Sequence, residues 1–242
     1  MIVEAGMELY LSNIKKSFDN KDVLKGASFH FEKGKIYGLL GRNGAGKTTL
    51  FNCLAGELKM ESGEVILRTE QGEKPLTTED IGYVFSTAIL PEFLTGYEFI
   101  KFFMDINKSK IHTDQSINDF FDLIKIDEED RHKLIKDYSH GMKNKIQMLM
   151  FLIAKPPIIL LDEPLTSLDV VVALEIKKIL REIRKDHIII FSTHILQLAT
   201  DLCDEIVALS EGELELLDHE LLQSSDFEEK LVKLLSEEGS HA

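Results

Sequence analysis

The stretch GRNGAGKTT, Gly41 to Thr49, follows the apolar run KIYGLL and precedes LFNCLAG. A strand, a glycine-rich turn and a helix start are predicted there, in that order. Gly41, Gly44, Gly46, Lys47 and Thr48 fall in the register G-x-x-x-x-G-K-S/T. Glycines in such a loop let backbone N–H groups turn inward around an anion. The helix that follows adds its positive end, Lys47 a point charge, and the Thr48 hydroxyl an oxygen for Mg²⁺. A merely flexible glycine turn would need neither the strand before it nor the helix after it. The loop predicts a nucleoside triphosphate bound with Mg²⁺; by itself it leaves kinase, GTPase switch and mechanical ATPase open.

Composition narrows the setting. With 242 residues and 44% hydrophobic content, the chain can bury a substantial core without disulfides, as one large domain or one domain with an inserted lobe. Cys53 and Cys203 lie far apart and make no metal-ligand spacing, which fits a reducing, cytoplasmic setting. The N-terminal MIVEAGMELYL has no basic segment ahead of a long apolar run, and no apolar run reaches the ~18 residues of a spanning helix. Neither secretion nor membrane spanning is expected, and any membrane role is peripheral. A net charge of −14 disfavours a broad nucleic-acid surface. The final GSHA is given no structural role.

Residues 7 to 40 alternate β-type runs with turns: ELYLSNI, the turn FDNKD, VLKGASFHF, the turn EKGK, then IYGLL. This predicts a small antiparallel sheet feeding the strand that carries the phosphate loop. A helix from Lys47 to about Ala55 is followed by two further strands, in ESGEVILR and DIGYVFS. From Leu90 to about Asp137 the chain turns helical and rich in Phe and Ile; Ile117, Phe120, Phe121 and Ile124 mark one apolar face. An inserted helical lobe is expected, its phenylalanines serving as core. GMKNKIQMLMFLIAK reads as a helix ended by Pro156 and Pro157. Then come the buried strand IILLDEP, a helix with Val172, Ile176, Ile179 and Ile183 on one side, and the buried strand HIIIFSTH. Strands alternating with helices imply a parallel α/β sheet. The tail adds a hairpin in EIVALSEGELELLD and a charged amphipathic helix ending near Glu238.

Two more stretches carry chemistry. IILL delivers Asp162 and Glu163 to the end of a buried strand, where ligand sites collect in open α/β sheets. Asp162 fits a carboxylate that holds Mg²⁺ as the partner of Thr48, and Glu163 is placed to orient and deprotonate an attacking water. In YSHGMKNK, Ser139 and Gly141 sit at a helix N-terminus and form a second anion site with no phosphate of this chain left to bind. Read alone, Ser-His-Gly is equally a helix cap. No acceptor pocket of a kinase and no N-K-x-D-like base-reading motif of a GTPase is evident.

These pieces together resemble the nucleotide-binding domain of ATP-binding cassette (ABC) transporters, from about Glu8 to Asp218. The resemblance implies an α/β fold: a P-loop NTPase core with a parallel sheet, an N-terminal antiparallel β subdomain and an inserted helical lobe. It implies residues 1–218 as that domain, the lobe occupying about 90–155, and 219–242 as a C-terminal helix and tail. Phe18 would stack on adenine; its alternative is core packing, but KSF ahead of DNKD favours an exposed end. Gly41, Asn43, Gly44, Gly46, Lys47, Thr48 and Thr49 would hold ATP, with Thr48 and Asp162 on Mg²⁺. Glu163, His194 and Lys47 would be catalytic, and Ser167-Leu168-Asp169 would be the D-loop. His194 alternatively reads as a core histidine, and Asp169 as a helix cap. In this family two domains pair head to tail, so Ser139 and Gly141 would complete the ATP site of a second cassette, a copy of this chain or a paralogue.

YSHGMK looks like members that serve exporters with separate integral-membrane permease subunits, including antibiotic and drug efflux systems. The resemblance thus implies an ATPase on the cytoplasmic face of the membrane, attached peripherally and without nucleic acid. The alternatives are a soluble ABC ATPase of DNA repair or translation, which usually carries two cassettes or basic insertions not seen here, and a slow regulatory cassette. Two positions depart from the family pattern: His140 replaces the first signature glycine, and Ser86 stands where a glutamine normally contacts Mg²⁺ and water. The second departure favours keeping the slow cassette in view.

Overall fold

The structure, a computed structural model, describes residues 6–19, 21–109, 111, 113–165 and 170–217. It divides into two compact units: one runs to Tyr83 and adds 157–162 and the described residues from Arg184 onward, and the other comprises Val84–Pro156 and Glu163–Ile183.

The first unit holds two sheets. β1 (Glu8–Phe18), β2 (Lys21–Glu32), β4 (Ser62–Thr69) and β5 (Gly72–Pro75) form an antiparallel sheet in the order β2-β1-β4-β5. Where the sequence pattern ends the first strand at Ile14, β1 continues to Phe18. Register shifts after Leu11, Ile14 and Lys16, with Asn13 in the left-handed region (φ 54°), absorb the break in alternation. The second sheet runs β10-β9-β3-β8-β7-β6, built from β3 (Ile36–Leu40), β6 (Ile81–Val84), β7 (Ile158–Asp162), β8 (Ile188–Thr193), β9 (Glu205–Ser210) and β10 (Glu213–Leu217). β3 is parallel to β8 and β9, and β7 to β8; the hairpin strand β10 is antiparallel to β9. The sheet is therefore mixed at this edge. Every residue of β3, β7 and β8 is buried, which is why these strands read as unbroken apolar runs.

Between the sheets, Leu9, Phe31, Tyr37, Leu39, Phe51, Leu160 and Ile190 share one core. Burial pushes the Tyr37 phenol up to about 12, and its oxygen accepts the Glu32 N–H at 2.8 Å. Glu8, His30 and Glu32 bring ligand-type atoms within 4.8 Å of one another. Arg68 at 3.0 Å and Lys35 at 2.7 Å already pair the two carboxylates, so the cluster is an ion-pair network. α1 (Lys47–Leu54) and α7 (Leu196–Leu202) also belong to this unit.

The second unit contains α2 (Gly96–Ile106), α3 (Ile117–Leu123), α4 (Glu128–Arg131), α5 (His140–Ala154) and α6 (Val170–Ile183). Capping boxes at Thr95 and Ser116 start α2 and α3. Phe99, Ile100, Phe120, Phe121, Ile124, Ile146 and Leu149 form its core, so the phenylalanines are packing residues. α5 ends before the prolines because Lys155 turns left-handed at φ 47°. On α6 the buried positions are Ile176 and Leu180, so its inward face is centred one position past Ile179. The expected D-loop and the C-terminal helix lie outside the described residues. Among the described residues no helix is long and apolar enough to cross a membrane.

Candidate nucleotide site

Strand register assembles the first half of the site. Leu40 at the end of β3 is level with Thr193 at the end of β8, and Asp162 at the end of β7 is level with Ser192. Three parallel strands thus present their carboxyl ends together, the edge at which α/β sheets bind ligands. The phosphate loop leaves β3 at this edge. Gly44 and Gly46 take φ values of 85° and 104°, conformations that L side chains rarely adopt. A Cβ on Gly46 would meet Val23 Cγ1 of β2 at 2.7 Å, and one on Gly41 would meet the Leu209 carbonyl oxygen at 3.0 Å. The loop is bare of side chains where it is tightest.

Lys47 opens α1 and is 6% exposed. Its ammonium donates to the carbonyls of Gly41 at 2.8 Å and Arg42 at 3.1 Å, so the charge lies across the loop. Thr48 Oγ1 donates to Asp162 Oδ2 at 2.8 Å, and Ser192 Oγ donates to Asp162 Oδ1 at 2.6 Å. Both carboxylate oxygens are thereby held by hydroxyls. Thr48 and Asp162 offer only hard oxygen donors, a set that fits Mg²⁺. On the next turn of α1, Asn52 Oδ1 accepts from the Tyr83 hydroxyl at 3.1 Å. Burial first, then the Asp162 and Glu57 carboxylates, raise the Tyr83 phenol, which keeps it a donor.

Phe18 ends β1 at 43% exposure, opposite Lys21, which precedes by two positions on β2 the Val23 that closes on Gly46. Lys16 Nζ lies 5.2 Å from its ring centroid. His194 follows Thr193 just past the carboxyl end of β8 and is exposed. Asn43 and Thr49 belong to the loop and the first turn of α1.

Glu163, Ser139, Gly141 and Ser86 belong to the second unit. Glu163 adopts φ 51°, a left-handed conformation that costs a non-glycine residue ~1–3 kcal/mol and is found at functional turns. Ser139 is the exposed N-cap of α5, its Oγ accepting the Met142 N–H at 3.2 Å, so its capping role is real. A Cβ on Gly141 would meet Val172 Cγ2 at 3.3 Å, which fits a glycine where α5 passes α6. Asn144 on α5 donates to the Pro164 carbonyl at 3.4 Å, joining this helix to the turn that carries Glu163. Ser86 lies two residues past the end of β6 and is exposed.

Sequence reasoning missed Ser192, Asn52 and Tyr83. The signal for Ser192 was the pair of hydroxyls, Ser192 and Thr193, that closes an otherwise apolar buried strand, since each must find a partner.

A family model described as ABC transporter matches residues 24–166. YxlF of Bacillus subtilis, an uncharacterized ABC transporter ATP-binding protein, is 34% identical over 207 residues, covering 85% of this chain and 69% of YxlF. YhcH of the same organism, named in the same way, is 30% identical over 211 residues, covering 85% of this chain and 68% of YhcH. Among solved structures, an ATP-binding subunit of an ABC transporter superposes with a TM-score of 0.77 at 23% identity, covering 93% of this chain and 98% of that one. A CbiO protein of Clostridium perfringens, part of the ABC transporter complex CbiONQ, gives 0.73 at 25% identity, with 96% of each chain covered.

Proposed function

The chain belongs to the ABC transporter ATP-binding family, whose domains bind and hydrolyse ATP, and we propose that it is the motor subunit for integral-membrane permease subunits on other chains. The observation that carries this reading is the Thr48–Asp162 hydrogen bond of 2.8 Å, which joins the phosphate loop to the strand end that leads into Glu163. In this proposal Lys47 exchanges its two loop carbonyls for phosphate oxygens of ATP, whose β- and γ-phosphates sit in the glycine loop among Gly41, Asn43, Gly44, Gly46 and Thr49. Phe18 stacks on the base. Thr48 and Asp162 would hold Mg²⁺, which when bound would neutralise phosphate charge.

Glu163 takes the proton of the attacking water, and His194 donates to the γ-phosphate. Ser139 and Gly141 act in the site of a second cassette, a copy or a paralogue, with the N–H groups that open α5 facing its nucleotide. Residues 1–218 form the nucleotide-binding domain, with the helical lobe at about 90–155 and a C-terminal helix and tail in 219–242. The chain works at the cytoplasmic face as a peripheral subunit. The YSHGMK form supports export, and the net charge of −14 supports a role without nucleic acid.

Affinity capture of the full chain from detergent-solubilised membranes tests this. A stoichiometric integral-membrane protein is expected, together with ATPase activity that requires two cassettes. Active protein recovered without any membrane partner would favour the soluble ABC ATPase. Nucleotide binding with very slow turnover would favour the regulatory cassette, the reading that Ser86 in place of glutamine supports.

A further inference from the structure

We propose that Ser192 is a positioning residue for Mg²⁺ binding: its hydroxyl fixes the Asp162 carboxylate in the orientation that faces Thr48. The inference rests on Asp162 being a metal-holding carboxylate, as proposed above.

Three observations carry it. First, Ser192 Oγ donates to Asp162 Oδ1 at 2.6 Å, while Thr48 donates to Oδ2 at 2.8 Å. The terminal torsion of an aspartate is broad and two-fold. One hydrogen bond leaves it free to rock, whereas one on each oxygen fixes the plane of the carboxylate. Second, the strands themselves supply the alignment, because Ser192 is the register partner of Asp162 in the parallel pairing of β7 with β8. No side chain has to reach across a loop. Third, Ser192 is 0% exposed and Asp162 3%. A buried hydroxyl is costly unless bonded, and this one follows Ile188, Ile189, Ile190 and Phe191 in a strand buried along its whole length.

The two hydroxyls have different duties. Thr48 serves both the carboxylate and the metal; Ser192 touches the carboxylate from a position that solvent does not reach. Partners that orient a ligand in this way commonly set metal affinity by 10–100-fold. Ser192 therefore tunes how much Mg²⁺ the protein needs and leaves the affinity for metal-free nucleotide alone.

The test uses the full chain and a fluorescent N-methylanthraniloyl derivative of ATP. Its affinity is measured in EDTA, and Mg²⁺ is then titrated, for the wild type, Ser192→Ala and Asp162→Asn, with melting temperatures recorded alongside. Ser192→Ala is expected to bind the metal-free nucleotide like the wild type and to need about tenfold more Mg²⁺ for half-saturation. Asp162→Asn should be displaced at least as far. A Ser192→Ala curve that overlays the wild type while Asp162→Asn is displaced overturns the role of Ser192 and leaves the Asp162 assignment standing. Equal losses for Ser192→Ala in EDTA and in Mg²⁺ assign the serine to packing alone and also overturn it. If neither variant is displaced, the Asp162 assignment falls and takes this inference with it.

Discussion

Thr48 Oγ1 and Asp162 Oδ2 are 2.8 Å apart although 114 positions separate them in the chain. The contact joins the phosphate loop to the acidic end of β7, so the two sequence motifs meet at one place. Removing either partner should disable the same interaction. Thr48→Ala and Asp162→Asn are each expected to weaken Mg²⁺-dependent ATP binding, and the double variant should be little worse than the poorer single. A coupling of about 0.5–3 kcal/mol is the range for residues in direct contact. Strictly additive losses in a double-mutant cycle would show that the two act separately.

Glu163 follows that carboxylate in the chain and holds φ 51°. Glutamine preserves the size and the backbone demands of glutamate but cannot take a proton from water. Glu163→Gln should bind ATP normally, hydrolyse it about 10²-fold more slowly, and accumulate as an ATP-dependent dimer. Single-turnover hydrolysis with size-exclusion chromatography reads both quantities. Near-normal turnover would remove Glu163 from the role of base.

Much of this arrangement was legible in the sequence, and the exceptions share a cause. IILL and IIIF are buried on both faces, so their runs declare strands without ambiguity. The phosphate loop announces itself through glycines whose positive φ no other residue takes easily. What the sequence hides is register. Nothing in HIIIFSTH says that Ser192, and not Thr193, is level with Asp162; the parallel pairing of β7 and β8 decides it. The same applies to the Tyr83–Asn52 contact between β6 and α1. β1 runs past its apparent end because bulges let it change face, which an alternation count treats as a stop. Leu180 went unread as a core residue because the row Val172, Ile176, Ile179, Ile183 already satisfies helical spacing.

Ser139 has a measurable capping duty and a proposed second one, and a suitable variant separates them. Its side chain accepts the Met142 N–H at 3.2 Å, so Ser139→Ala should lower stability by about 1 kcal/mol. Asparagine caps as well as serine, so Ser139→Asn should recover that loss. If Ser139 also completes the site of a second cassette, ATP-driven pairing should stay impaired in both variants while a single chain binds ATP normally. Full recovery of pairing in Ser139→Asn would reduce Ser139 to a cap.

The helical unit carries an acid-sensitive ion pair at Glu175. Lys145 at 2.8 Å, opposed by burial and then reinforced by Lys125 at 3.1 Å, holds its carboxyl below the usual 4.5. A depressed folded value means the stabilisation is complete above 4.5 and is lost as pH falls through that lower value. Glu175→Gln should therefore be less stable than the wild type at neutral pH, and the gap should narrow in acid. Urea melts across this range check it. A gap independent of pH would mean that glutamine disturbs packing, with no part played by the charge.

Ser86 is exposed, two residues beyond the end of β6. A glutamine there would reach through one more methylene to a terminal amide, whereas the serine oxygen sits one bond from Cβ and needs an intervening water to approach a metal. Residues 72 to 114 contain no glutamine, so no nearby shift of alignment supplies one. Ser86→Ala should therefore lower ATPase activity far less than Glu163→Gln or His194→Ala. Ser86→Gln should raise basal turnover, because the longer side chain restores direct reach to the water. Steady-state ATPase assays on the four variants with the same partner cassette make the comparison. A collapse in Ser86→Ala as deep as that of Glu163→Gln would place the serine hydroxyl directly on the metal or the water, and the argument from side-chain length would fail.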